Sequence, residues 1–130
     1  MLSHVLEHVP DPAPLLAEAA RVCRAVVVEV PLEDNRSASR GSAARGRVEL
    51  GHLHRFSRGD VRELATRAGL RVTREVADPL PAAIHTFWAD GLAARTTTLA
   101  KAAVRRGLFT VAPAAAERSF TVHYACLLVP

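Results

Sequence analysis

His4, Glu7 and His8 stand within one pentapeptide, His4-Val5-Leu6-Glu7-His8, and two more imidazoles flank Leu53 at His52 and His54. Imidazole titrates near neutral pH, so it is well suited to take a proton from an acceptor hydroxyl or amine. A Glu7–His8 pair offers the same general-base chemistry, orienting or deprotonating the acceptor. If the chain is extended here, alternation points His52 and His54 to one side. Arg55 carries a guanidinium that suits an anionic substrate group. If the chain does such chemistry, His52, His54 and His8 are the candidates for the base. The pentapeptide also fits H-x-x-E-H, in which two histidines four residues apart share a zinc ion on a helix face. Pro10 and Pro12 interrupt the helix that would hold such a site, and chain termini fray. No metal ligand is assigned, and a zinc hydrolase is only the furthest alternative.

These side chains need elements to position them. Asp11-Pro12 opens a helix, with Asp as N-cap and Pro in the first turn. Leu15, Leu16, Ala19, Ala20, Val22 and Cys23 form its apolar stripe, and Arg24 ends it. Ala25-Val26-Val27-Val28-Glu29-Val30-Pro31 reads as a buried strand. A helix followed at once by such a strand points to a βαβ unit. Leu32 to Leu50 is polar and reads as a long loop, either a lid or disordered. Ser57-Arg58-Gly59-Asp60 is a capping-box start; Val61, Leu64, Ala65 and Ala68 share a face, and Gly69 is the stop. Leu70 to Val76 alternates like a strand. After the break at Asp78-Pro79-Leu80-Pro81, residues 82–108 form one or two helices anchored by Ile84, Phe87, Trp88, Leu92, Leu99, Val104 and Leu108. Ala112 to Ala116 is a turn or short helix, and Ser119 to Val129 is a final strand. The order is helix, strand, loop, helix, strand, helical insert, strand.

The 130 residues suffice for one domain, and a hydrophobic share of 49% excludes disorder throughout. The 17 basic residues against 13 acids give +4, but they are spread along the chain without interleaved aromatics, which argues against nucleic acid as a partner. Cys23 and Cys126 show no metal spacing and are expected to be buried free thiols. No signal peptide and no membrane-length apolar run is present, so a soluble cytoplasmic protein is expected.

With the elements placed, the chain resembles the C-terminal half of a class I S-adenosylmethionine (SAM)-dependent methyltransferase of the small-molecule type. Ser3-His4-Val5-Leu6-Glu7-His8-Val9-Pro10-Asp11-Pro12 is similar to the stretch after the family's fourth strand. Arg21-Val22 and Val26-Val27-Val28-Glu29-Val30-Pro31 are similar to the helix end and fifth strand. Gly51-His52-Leu53-His54-Arg55-Phe56-Ser57, with Leu64 and Ala68-Gly69-Leu70-Arg71-Val72, is similar to the "H…FS…L…AGF.V" segment. Cys23-Arg24-Ala25 stands where the family usually has Pro-Gly-Gly. The Gly-rich loop that approaches the methionine end of SAM, and the acid that holds its ribose, have no counterpart in these residues.

The resemblance implies an α/β fold, the C-terminal half of a Rossmann-like sheet. One partial domain is divided as 1–31 (post-strand-four loop, helix and strand five), 32–50 (loop), 51–77 (helix and strand six), 78–118 (helical insert) and 119–130 (an antiparallel seventh strand). It implies SAM as cofactor, touched by Ser3 and His4 at the carboxyl end of strand four, and a small-molecule acceptor. Glu7 and Arg55 would face the acceptor, His52 and His54 would lie over the active site, and Trp88 would belong to a substrate-selecting insert. One complete parallel-type strand makes a poor sheet. The chain is therefore expected to require an N-terminal half or to oligomerise, and to be inactive alone. The rival reading is a non-catalytic half-domain that completes its sheet on a partner.

Overall fold

The computed structural model describes residues 1–87 and 89–130, and the side chains of all of these but 42 and 43. Four strands form one sheet in the order β1-β2-β4-β3. β1 (Leu2–Ser3) runs parallel to β2 (Val26–Leu32), while β4 (Val122–Val129) lies between β2 and β3 (Arg71–Asp78), antiparallel to both. The final strand is thus antiparallel, as the resemblance implies. Its insertion gives β2 a second neighbour and makes a sheet of what looked like an isolated strand. The segment before the first helix also supplies a strand, β1, where only a loop was expected.

α1 (Pro12–Val22) begins as its sequence predicts: the Asp11 carboxylate accepts from Ala13 N at 3.1 Å. α3 (Arg58–Arg67) carries the full capping box, Ser57 and Asp60 each satisfying the other's backbone N–H. Gly69, at φ 75°, ends it with a left-handed residue that costs glycine no Cβ clash. The apolar faces of α1 and α3 cover one side of the sheet. Leu16, Val61, Leu64 and Ala65 meet Val26, Val28, Val30, Val122, Tyr124, Cys126 and Leu128 in the main core.

β2 is covered on one face only. Val26, Val28 and Val30 are buried, whereas Val27 is 37% exposed and Glu29 is half-buried on the opposite face. Strand period two puts Val27 and Glu29 together with Ala125 and Leu127 of β4 on that open face.

Three sequence expectations are corrected. The stretch from Leu32 to Leu50 is not a loop throughout: α2 spans Gly41–Glu49. Its approach is fastened by buried Asn35, which donates to Leu32 O at 2.9 Å and Thr121 Oγ1 at 3.1 Å and accepts from Ala38 N at 2.9 Å. The insert forms α4 (Ala82–Thr86), α5 (Leu92–Val111) and α6 (Pro113–Ser119), but its expected anchors do not anchor. Ile84, Phe87, Leu92, Leu99 and Val104 are all exposed, and Leu108 alone of the described set packs on the core. α5 lies mainly on α4 and α6, and only its last turns, at Leu108 and Phe109, reach the core. Trp88 lies outside the described residues. Finally, both cysteines are free, but only Cys126 is buried; Cys23 is exposed. No helix among the described residues is long and apolar enough to cross a membrane.

Candidate functional site

β1, β2 and β3 all end at the same edge of the domain, which is where open α/β sheets bind ligands. A cavity of about 430 Å³ lies there, lined by Ser3, His4, Glu29, Asp78 and His123 with Leu80, Pro81 and Ile84 across from them. Ser3 Oγ donates to Glu29 Oε2 at 2.7 Å, and His123 Nδ1 lies 3.5 Å from Glu29 Oε1. The Ser3 hydrogen bond, with smaller help from His123 and His4, holds the Glu29 carboxyl below its usual range. The rings of His4 and His123 are 4.9 Å apart.

His4 has φ 52°, and no other non-glycine among the described residues has positive φ. A left-handed L-residue carries strain, which the surroundings must hold in place. Here His4 N donates to Glu29 O at 3.0 Å, and His4 Nδ1 lies 3.0 Å from Glu7 Oε1. The kink ends β1 and starts the 3-10 turn Leu6–His8. Two histidines four residues apart need an α-helix to share one face, so the arrangement required by a zinc-hydrolase motif is not formed.

Glu7 is fully buried, a rare position for a carboxylate. Its backbone carbonyl accepts from both Leu53 N at 2.7 Å and His54 N at 3.2 Å, which ties the 51–56 segment onto the turn. Its Oε2 has no hydrogen-bond partner.

His52 is delivered by the end of α2. Gly51 at φ 74° follows the helix; Gly51 N reaches Val48 O at 3.0 Å and His52 N reaches Arg47 O at 3.1 Å. Those two bonds define a Schellman stop. His52 then places Nδ1 2.8 Å from Glu33 Oε2, with both side chains largely buried. A carboxylate only accepts, so Nδ1 donates and Nε2 is the nitrogen turned away from Glu33. His8 is exposed, and its Nδ1 lies 3.2 Å from Gly51 O; by the same reasoning its Nε2 is the free nitrogen. The His8 and His52 rings meet edge to face at 4.8 Å.

His54 goes elsewhere. Its Nε2 donates to Val9 O at 2.8 Å and Pro10 O at 3.2 Å, and it lines a separate depression with Asp60, Glu63 and Arg67. The alternation that would put it beside His52 requires an extended ladder. Two successive N–H groups aimed at one carbonyl are a turn. Arg55 is also engaged: its guanidinium donates to Glu33 O at 3.2 Å, Asp34 Oδ1 at 3.1 Å and Ser39 Oγ at 2.7 Å.

The structure therefore gathers Ser3, His4, Glu7, His8 and His52 along the carboxyl edge of the sheet and leaves His54 and Arg55 as ties between segments. It adds Glu29, Glu33 and His123, which sequence reading did not assign. The parity of β2 and β4 carried a signal for two of them. Glu29 is the polar interruption of an apolar strand, and His123 falls on the same face as Ala125.

Comparison with known proteins places this geometry in a family. The sequence profile described as Methyltransferase domain matches residues 1–75. No curated protein matches. A solved structure from Galdieria sulphuraria, described as a sarcosine dimethylglycine methyltransferase, superposes with a TM-score of 0.55 at 19% identity, over 98% of this chain and 50% of that one. At that identity the likeness shows the fold, and the chain spans about half the length of the structure it matches. With more than half its residues under the family profile, from β1 into β3, the chain belongs to the methyltransferase-domain family.

Proposed function

We propose that this chain forms the acceptor side of a SAM-dependent methyltransferase whose acceptor is a small molecule. One observation carries the reading: a cavity at the carboxyl edge of the sheet, within the fold of a methyltransferase, whose largely apolar wall is broken by Ser3, His4, Glu29, Asp78 and His123. Leu80, Pro81 and Ile84 add apolar lining to the cavity, and its size suits a small acceptor.

The residues present fit one side of the cofactor. Ser3, His4 and the Glu29 carboxylate would offer polar and negative partners to the cationic cofactor. When bound, SAM supplies an electrophilic methyl group. The protein's part is to hold the acceptor in line and to take its proton where one must leave. His52 is the best-prepared base, because Glu33 sets its tautomer and leaves Nε2 free; His8 faces it. His54 holds the turn at Val9 and Pro10.

The test uses tritiated SAM with the native protein, whatever its full length, and with these 130 residues alone. Label is expected in the dialysable fraction of a metabolite extract, and His52→Ala should remove most of it. Label in protein or nucleic acid instead would overturn the acceptor class.

A further inference from the structure

We propose that Glu7, His8 and His52 form a binding site for one divalent transition-metal ion, of the zinc or ferrous type. One donor atom from each of the three residues lies within 4.8 Å of the others. Each residue has its second atom committed elsewhere, so that one is left over. Glu7 Oε1 pairs with His4 Nδ1, His8 Nδ1 with Gly51 O, and His52 Nδ1 with Glu33 Oε2. This is how metal-binding histidines are held: one nitrogen donates to a carbonyl or carboxylate, which fixes the ring and presents the other.

The leftover atom on Glu7 is the strongest sign. Oε2 is fully buried and has no hydrogen-bond partner, although a buried carboxylate oxygen without one is costly. A cation satisfies it. Two imidazoles with one carboxylate are a donor set that suits zinc or iron better than magnesium or calcium, which prefer all-oxygen ligands. Three protein ligands also leave positions open for a bound molecule. Ligands on a tetrahedral zinc stand roughly 3.3 Å apart, inside the 4.8 Å that bounds the spacing of these donor atoms, so binding draws the side chains together.

A second grouping, His4, Glu29 and His123, has the same composition but not the same readiness. Both Glu29 oxygens already face partners, Ser3 on one and His123 on the other. No carboxylate oxygen is left over there.

If the methyl-transfer reading holds, an ion at this place would fix and acidify an oxygen of the acceptor, and His52 would act as its ligand instead of as the base. The binding itself does not depend on that reading. The experiment is therefore run without SAM or acceptor: the metal-stripped chain is titrated with zinc by calorimetry and with cobalt by visible absorption. One ion per chain is expected. His8→Ala and His52→Ala should each weaken binding at least tenfold, Glu33→Gln by about 10- to 100-fold, and His123→Ala should leave it unchanged. His8 is exposed, so His8→Ala decides the question even if a buried variant fails to fold; circular dichroism checks each one. No saturable uptake by the unaltered chain, uptake undiminished in His8→Ala, or uptake lost only in His123→Ala would each overturn the site while leaving methyl transfer untouched.

Discussion

His52 is held by Glu33: Nδ1 of the ring lies 2.8 Å from Oε2 of a carboxylate 19 residues earlier, just past the end of β2. This contact joins the α2 terminus to the sheet and decides which nitrogen of His52 faces outward. Whether that nitrogen takes a proton or binds an ion, Glu33 must be present to aim it.

Glu33→Gln is accordingly expected to lower the proposed methyl transfer by the native protein about 10- to 100-fold while leaving the thermal midpoint nearly unchanged. Glutamine can still meet the ring, but it permits the other tautomer. Steady-state kinetics beside a melting curve checks this, and equal turnover would remove the positioning role.

His52→Ala and His54→Ala should separate chemistry from structure. The first should reduce turnover far more than stability. The second frees the carbonyls of Val9 and Pro10, so it should cost about 1 kcal/mol of stability. Urea titration and single-substrate kinetics on both variants give the comparison. A larger turnover loss in His54→Ala would reverse the assignment.

Glu75 makes stability depend on pH. The Arg62 guanidinium, helped by the Tyr124 hydroxyl and Arg58, holds its carboxyl down from 4.5 to about 2. A depressed carboxyl contributes stability above its unfolded value and loses it as pH falls toward the folded one. The side chain is 24% exposed, so solvent screening leaves roughly 1 to 2 kcal/mol of the full effect. Glu75→Gln should lower stability by that amount at neutral pH, and the gap should close between pH 4.5 and about 2. Denaturant melts at both ends of that window measure it.

Ser57→Ala removes one half of the capping box on α3 and should cost about 1 kcal/mol. Because α3 packs on the sheet face opposite the cavity, metal uptake and turnover should stay within twofold of the unaltered protein. A loss of function beyond the loss of folded protein would show that α3 reaches the site.

The sequence alone determined what rests on short-range rules. Asp11 before Pro12, the Ser57–Asp60 pair and Gly69 specify helix ends through bonds made within a few residues. The run Val26 to Val30 and the alternation in β4 specify strands, because side-chain parity is local. The family resemblance followed from the order of those same segments. Gly51 carried the stop signal for α2, but Gly41–Glu49 lacks an apolar stripe and a capping side chain, so the helix did not stand out from its polar surroundings.

Only the tertiary structure decided how the segments meet. β4 enters between β2 and β3, a choice made by burial of Val122, Tyr124, Cys126 and Leu128 across a long sequence separation. That insertion brings His123 to Glu29, 94 positions away in the chain. The carbonyl of Glu7 captures the 51–56 segment, which sends His52 to Glu33 and His54 to Pro10 although only one residue separates them. The bare spacing of His52 and His54 could not foresee that split, because the hydrogen bonds that cause it come from residues some 45 positions upstream.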